Sequence, residues 1–257
     1  MTKWFNYLRI ESGPGDGNNP AWWLHHRSLA RGVDKNCYLL ANEWICGCVG
    51  WYLRLPVPPF ALMRKSPTSR RYFGSLDYGA KQVTPTDMRG DRLCVCLPNE
   101  ATGVILFDAL VANPDRHEGN LKVDDRLNPT RIELFDHDQG MFGIFKTPKD
   151  KGRSKGASRL ALIEKAKDLG WGHNLNSRQV HKLACALKTA RHMNKWYARI
   201  ESIPDHFLET VCAEAPGISA RERDAAFEFL RNRKTELRTL VNQNKGLFPK
   251  VKDWGLL

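Results

Sequence analysis

Apolar and polar positions alternate along this chain in different rhythms, and each rhythm predicts a different kind of element. Short apolar runs come first: residues 4–10 and 21–25 read as two strands joined by the glycine-rich stretch Glu11 to Pro20. From Tyr38 to Leu53 apolar residues lie all round the helical wheel, which predicts a helix buried between other elements. It stops before Leu55-Pro56-Val57-Pro58-Pro59; Phe60 to Met63 then reads as a strand and Arg64 to Arg71 as a basic, solvated loop. The apolar run Val104 to Ala112 ends at Asn113-Pro114, which breaks regular structure and delivers the chain into a loop. Leu121 to Val123 and Ile132 to Phe135 read as short strands of a hairpin, with a turn over Asp124 to Thr130.

Past a basic, glycine-containing loop at 140–155, the period becomes helical. Ser158 to Leu169 is amphipathic, and Asn176 or Ser177 can cap one long helix carrying Val180, Leu183, Ala184, Leu187, Ala190, Met193 and Tyr197. Pro204 begins another, to about Glu214. Ser219-Ala220-Arg221-Glu222 is a capping box that opens a last helix, with Ala226, Phe229, Leu230, Leu237, Leu240 and Val241 on one face. The tail, 246–257, reads as loosely held.

Composition narrows the class. With 257 residues, 42% hydrophobic and 10% aromatic, the chain can build one sizeable core or two lobes sharing a cleft, so disorder is not expected. A formal charge of +12 favours polyanions, which leaves nucleic acid, ATP and acidic protein partners open. Of the seven cysteines, Cys46/Cys48 and Cys94/Cys96 stand one residue apart, unlike zinc knuckles, so buried reduced thiols are the simpler expectation. With no signal peptide at the start and no long apolar run, the expected location is cytoplasmic, with no membrane span.

The candidate chemistry lies in Asp115-Arg116-His117-Glu118-Gly119-Asn120 and in Asp136-His137-Asp138, which begins sixteen residues after Asn120. Transfer of a γ-phosphoryl group needs a carboxylate beside the attacking hydroxyl and oxygen ligands for Mg²⁺, and protein kinases place that Asp and an Asn five positions apart. Asp115 and Asn120 have this spacing, and the hairpin would return Asp136 to Asn120's side. Mg²⁺ takes few protein ligands, so one carboxylate and one amide oxygen make a plausible set. Glu43 is the single acid of the buried helix and needs a partner there. Gly13, Gly15 and Gly17 allow backbone N–H groups to approach phosphates, or simply form a hairpin tip. Tyr72 to Gly79 has the composition of chain passing an adenine ring between lobes, or of a turn.

These segments together resemble the HipA-like kinases, in particular the shorter bacterial and phage HipA-related kinase domains, over roughly residues 20–245. Leu40-Ala41-Asn42-Glu43-Trp44 leading to Leu55-Pro56-Val57-Pro58 is similar to the family's helix and following turn. Tyr72-Phe73-Gly74-Ser75 is similar to its hinge, and Phe107 to Leu121 to its catalytic signature, whose Asp-Arg-His-x-x-Asn core phosphoinositide kinases share. The resemblance implies an α+β, bilobal protein-kinase-like fold: a small β-rich N-lobe over 1–72, a mainly helical C-lobe over 73–245, and the tail. It makes Asp115 the catalytic carboxylate, with His117 ordering the loop. Asn120 and Asp136 become Mg²⁺ ligands, with Asp138 as the alternative. Arg116 pairs with an acidic group or phosphate, and Glu43 partners an ATP-binding lysine. Phe73, Gly74 and Ser75 join the nucleotide site. Where the family has its lysine, this chain has Trp22-Trp23-Leu24-His25-His26-Arg27; Arg27 is the permanent cation there, and Lys35 requires a shifted alignment.

The implied function is an ATP- and Mg²⁺-dependent kinase acting on a hydroxyl of a protein substrate, toxin-like, with an antitoxin or regulatory partner. The alternative is a catalytically weak pseudokinase working as a nucleotide-gated binding module. A third reading, a nucleic-acid binder, has only the basic charge behind it and no accompanying motif.

Overall fold

The computed structural model describes residues 28–32, 38–64, 71–76, 86–143, 162, 169 and 181–256. The strands expected at 4–10 and 21–25, the glycine-rich tip, Arg27, Lys35, most of the basic loop and the cap at Asn176 or Ser177 lie outside them.

The fold is α+β. Its first sheet is antiparallel, built from β1 (Ser28–Gly32), β2 (Phe60–Arg64) and β3 (Arg71–Leu76) in the order β1-β3-β2. Between β1 and β2 runs α1 (Leu39–Tyr52), buried on almost every side as its all-round apolar pattern requires. Leu39 and Leu40 of α1 pack with Leu62 and Phe73 to close the sheet against the helix.

Tyr72 to Ser75 is therefore neither a turn nor a linker between elements. It is the middle of the central strand, with Phe73 opposite Leu62 on one side and Arg31 on the other. An aromatic residue suits a half-buried pleated surface. Gly74 meets a packing demand: a Cβ there would stand 2.0 Å from Met63 Sδ on the neighbouring strand. A boundary drawn after residue 72 cuts this strand in two.

Next come β4 (Thr86–Asp87), α2 (Gly90–Cys96) and α3 (Pro98–Leu110). The apolar run from Val104 is the second half of α3, which opens with Pro98 in its first turn, where a missing N–H costs nothing. Every residue from Ala101 to Leu110 is buried. The expected hairpin is present as β5 (Lys122–Val123) and β6 (Ile132–Glu133), antiparallel with Val123 opposite Ile132, and β4 adds a third strand. Asp124 closes its turn by accepting the N–H groups of Thr130 and Arg131.

The remainder is helical: α4 (Lys182–Ala186), α5 (Met193–Glu201), α6 (Asp205–Ala213) and α7 (Ala220–Gln243). The single helix expected through Tyr197 is broken. Leu187 leaves the helix in an extended conformation, and α5 restarts at Met193. The stripe misled because Leu187 and Ala190 in the link are as buried as their helical neighbours. The capping box does open α7: Ser219 Oγ accepts from Glu222 N–H, and the Glu222 carboxylate accepts from Ser219 N–H at 2.7 Å.

The tail is also held, contrary to expectation. Leu247, Phe248 and Val251 are buried, Phe248 meets Trp254 edge-on, and Asp253 accepts the Ala190 N–H at 2.7 Å and the Thr189 hydroxyl. Those contacts also stabilise the break between α4 and α5. Among the described residues no helix is long and apolar enough to cross a membrane.

Candidate active site

The loop from Asn113 to Asn120 follows α3 and is organised by a buried charge. Asp108, in the last turns of α3, and Arg116 both have fully buried side chains. Charges so placed must be paired. Arg116 grips Asp108 with two donors, Nε to Oδ2 at 2.8 Å and Nη2 to Oδ1 at 2.9 Å. Its Nη1 donates to the carbonyls of Asn120 and Phe135, at 3.2 and 3.1 Å, tying the loop to the chain leaving β6. Asn113 Nδ2 donates to Asp108 Oδ1.

His181, at the N-terminus of α4, completes the cluster. Its Nδ1 accepts the Ala184 N–H, so Nε2 carries the proton and donates to Asp108 Oδ2 at 3.0 Å. Burial alone would raise the Asp108 carboxyl; the Arg116 guanidinium and His181 outweigh it and hold the group well below the usual carboxylate range. Burial in turn lowers the His181 pKa, favouring the neutral ring. Lys182 N–H donates to the Arg116 carbonyl, so α3, β6 and α4 all anchor the loop.

Asp115 projects from this frame, partly exposed. Asn120 Nδ2 donates to the Asp115 carbonyl at 2.9 Å and lies 3.4 Å from Oδ2, while Gln139 Nε2 donates to the same Oδ2 at 2.5 Å. Partial burial and the like charge of Asp136 raise the Asp115 carboxyl, against the pull of His117 and Arg116. Asp115, Asn120 and Asp136 are thus brought together. His117 is half-exposed, caps the 3-10 turn Glu118–Asn120 by accepting Gly119 N–H at 3.0 Å, and stands 3.9 Å from Asp115.

Asp136 has a left-handed backbone, φ 63°, a conformation sparsely used outside glycine and often found at functional sites. The next residues lie against α1. His137 Nδ1 is 3.5 Å from Glu43 Oε2, both groups buried, so His137 is a partner of Glu43 that the sequence did not predict. Asn42, fully buried, donates to the Asp138 carbonyl at 2.6 Å and accepts the Phe142 N–H. Asp138 is thereby tied to α1 through its backbone. Phe73 and Ser75 of β3 line a small pocket with Glu43, Gly47, Phe135 and His137, the last two flanking Asp136 in the chain.

Sequence reasoning gave no role to Asn42, Asp108, Gln139 or His181. Asn42 and Asp108 carried a signal, each being a polar residue within an otherwise apolar helical run. Gln139 and His181 carried none, since only the folded chain sets them beside Asp115 and Asp108. Among the described residues no group of three or more His, Cys, Asp or Glu is clustered as a metal cage. Asp136 and Asn120 carry one carboxylate and one amide oxygen, the hard-oxygen kind of donor that Mg²⁺ takes.

No protein-family model matches the sequence, and no curated protein matches it. Solved structures do. The crystal structure of CtkA, a proinflammatory kinase of Helicobacter pylori, is similar over 96% of this chain and 99% of that one, with a TM-score of 0.55 and 13% identity. The HipA of a Shewanella oneidensis MR-1 toxin–antitoxin system, solved with HipB and operator DNA, is similar over 95% of this chain and 66% of that one, with a TM-score of 0.47 and 10% identity. The likeness to CtkA, over nearly the whole of both chains, shows that this chain shares the fold of a solved kinase.

Proposed function

We propose that this chain, which shares its fold with the kinase CtkA, is a HipA-like kinase that moves the γ-phosphoryl group of ATP to a hydroxyl, most simply of a serine or threonine in a protein. One observation carries the reading: Asp115 stands half-buried and oriented on a loop tied down by the buried Arg116, beside Asn120 and within the field of Asp136. The sheet β1-β3-β2 with α1 would form the smaller lobe and the helices from α2 onward the larger.

In this reading Asp115 receives the acceptor hydroxyl and takes its proton as the bond to phosphorus forms. Asn120 and Asp136 would hold Mg²⁺, with Asp138 the alternative ligand. The Asn120 amide nitrogen faces Asp115, which directs its oxygen away from that carboxylate. An ion held by these residues would supply positive charge that offsets the charge on the ATP phosphates. The nucleotide would lie toward the pocket of Phe73, Ser75 and Glu43, with Gly74 leaving room for Met63 on the neighbouring strand. Arg27 is the proposed cation for its phosphates. A protein acceptor, an antitoxin-type partner and a cytoplasmic setting belong to the same proposal.

Purified protein given γ-labelled ATP and Mg²⁺ is expected to transfer label, and Asp115→Ala and Asp136→Ala to abolish it; equal signal in those variants refutes the reading. A second reading, the nucleotide-gated binding module, draws on Trp22 to Arg27, which contains no lysine. Its signature is thermal stabilisation by ATP and Mg²⁺ without transfer. Nucleic-acid binding would show instead as affinity that collapses with salt.

A further inference from the structure

The two oxygens of the Asp115 carboxylate are treated differently. Oδ2 accepts the Gln139 amide at 2.5 Å, and Asn120 Nδ2 lies 3.4 Å from it. Among the described residues no hydrogen bond reaches Oδ1; the His117 Nε2 stands 3.9 Å from it, beyond hydrogen-bond reach. The Gln139 amide must present its nitrogen, because its oxygen would set two acceptors face to face.

Gln139 does not reach Asp115 from a loose loop. Asn42 of α1 holds the Asp138 carbonyl at 2.6 Å and the Phe142 N–H at 3.3 Å, and Met141 N–H donates to the Val111 carbonyl at the end of α3. Gly140, the next residue, lies flush on α1: a Cβ there would stand 3.1 Å from Cys46 Sγ and 3.2 Å from the His137 carbonyl. A donor carried by so constrained a backbone is already placed before any substrate arrives, and loss of such placement weakens catalysis out of proportion to the distance moved.

We propose that Gln139 is a positioning residue for phosphoryl transfer: with Asn120 it pins Asp115 through Oδ2, so that Oδ1 is the atom that meets the acceptor hydroxyl. In that step the acceptor oxygen bonds to the γ-phosphorus, and the bond from this phosphorus to the β,γ-bridging oxygen breaks, its electron pair leaving on ADP. The acceptor proton passes to Asp115 Oδ1. The inference rests on the kinase reading and deepens it, since it names which face of the carboxylate an acceptor approaches.

Steady-state transfer from γ-labelled ATP with Mg²⁺, to the protein itself and to casein as a generic acceptor, separates the possibilities. Gln139→Leu and Gln139→Glu are expected to lower kcat roughly ten- to a hundred-fold. Both should leave KM for ATP within about two-fold of the parent value, since the amide acts on the catalytic carboxylate and not on nucleotide binding. Gln139→Glu keeps the side chain's size and polar character, so it keeps the test valid if the leucine variant folds poorly; because its carboxylate also repels Asp115, the uncharged leucine variant is the one that separates a lost donor from a side chain that merely fills space. Unchanged kcat in both variants overturns the assignment. So does increased kcat, which would make Gln139 a plug over Asp115. Either result with an active parent leaves the kinase reading intact, whereas a parent protein that transfers nothing removes both.

Discussion

Replacing Arg116 by methionine should be among the most damaging single changes in this protein, and the structure says why. The side chain is fully buried and makes four hydrogen bonds, two to Asp108 and two to the carbonyls of Asn120 and Phe135. Methionine fills a similar volume but leaves the Asp108 charge, among the described residues, with Asn113 and His181 alone. Breaking one partner of a buried ion pair costs about 3–5 kcal/mol, mostly through the charge left behind. The orphaned carbonyls add to this, though such terms do not sum simply. A loss of about 4 kcal/mol is expected, a large part of the roughly 5–15 kcal/mol that holds a domain together. Urea unfolding followed by tryptophan fluorescence measures it.

Neutralising Asp108 as well should recover part of the loss. Arg116→Met with Asp108→Asn is expected to be less destabilised than the sum of the single variants by about 1–3 kcal/mol, because the uncompensated charge is gone. The pH dependence has a definite sign. The Asp108 carboxyl is held below its ordinary range when folded: burial pushes it up, and Arg116 outweighs burial. A depressed carboxylate stabilises the fold above the unfolded value, about 3.9, and that contribution is lost as pH falls through the lower folded value. Asp108→Asn should therefore flatten the loss of stability below pH about 4. An Arg116→Met protein within about 1 kcal/mol of the parent, or singles that add without coupling, would refute the account.

Three further outcomes follow from the packing. Gly103→Ala should destabilise by about 1–3 kcal/mol, read from thermal melting, because overpacking a closed site forces its neighbours to move. Its Cβ would stand 2.3 Å from the Trp196 ring, which a hydrogen bond to the Asn99 carbonyl holds in place. Ser219→Ala removes one half of the α7 capping box and should shift the urea midpoint by about 1 kcal/mol of stability. Phe248→Ala should cost about 3–5 kcal/mol; a change near zero would mean that the tail is not part of the core.

Much of the fold was legible because its signals are local. All-round apolarity marked α1, the spacing of Ser219 and Glu222 marked the start of α7, and paired short runs marked the β5–β6 hairpin. The spacing of Asp115, Asn120 and Asp136 likewise marked the candidate site, since the loop and hairpin that bring them together lie within one short stretch of chain. Of the two readings of Tyr72 to Ser75, the turn fails, because a glycine that admits Met63 within a strand looks, in sequence, like a glycine that makes a turn. The tail was misread because Asp253 and Phe248 find their partners only after the helices have packed.

What sequence alone determined here is periodicity and short-range spacing, which steric and hydrogen-bonding rules impose on neighbouring residues. What only the tertiary structure decided is which distant group answers each buried charge and orients each reactive one. His181 reaches Asp108 from another helix, Asn42 grips the chain beyond Asp136, and Gln139 meets Asp115. A buried charge must be satisfied, but no rule of spacing says from where, because the partner is set by how the helices and sheets stack.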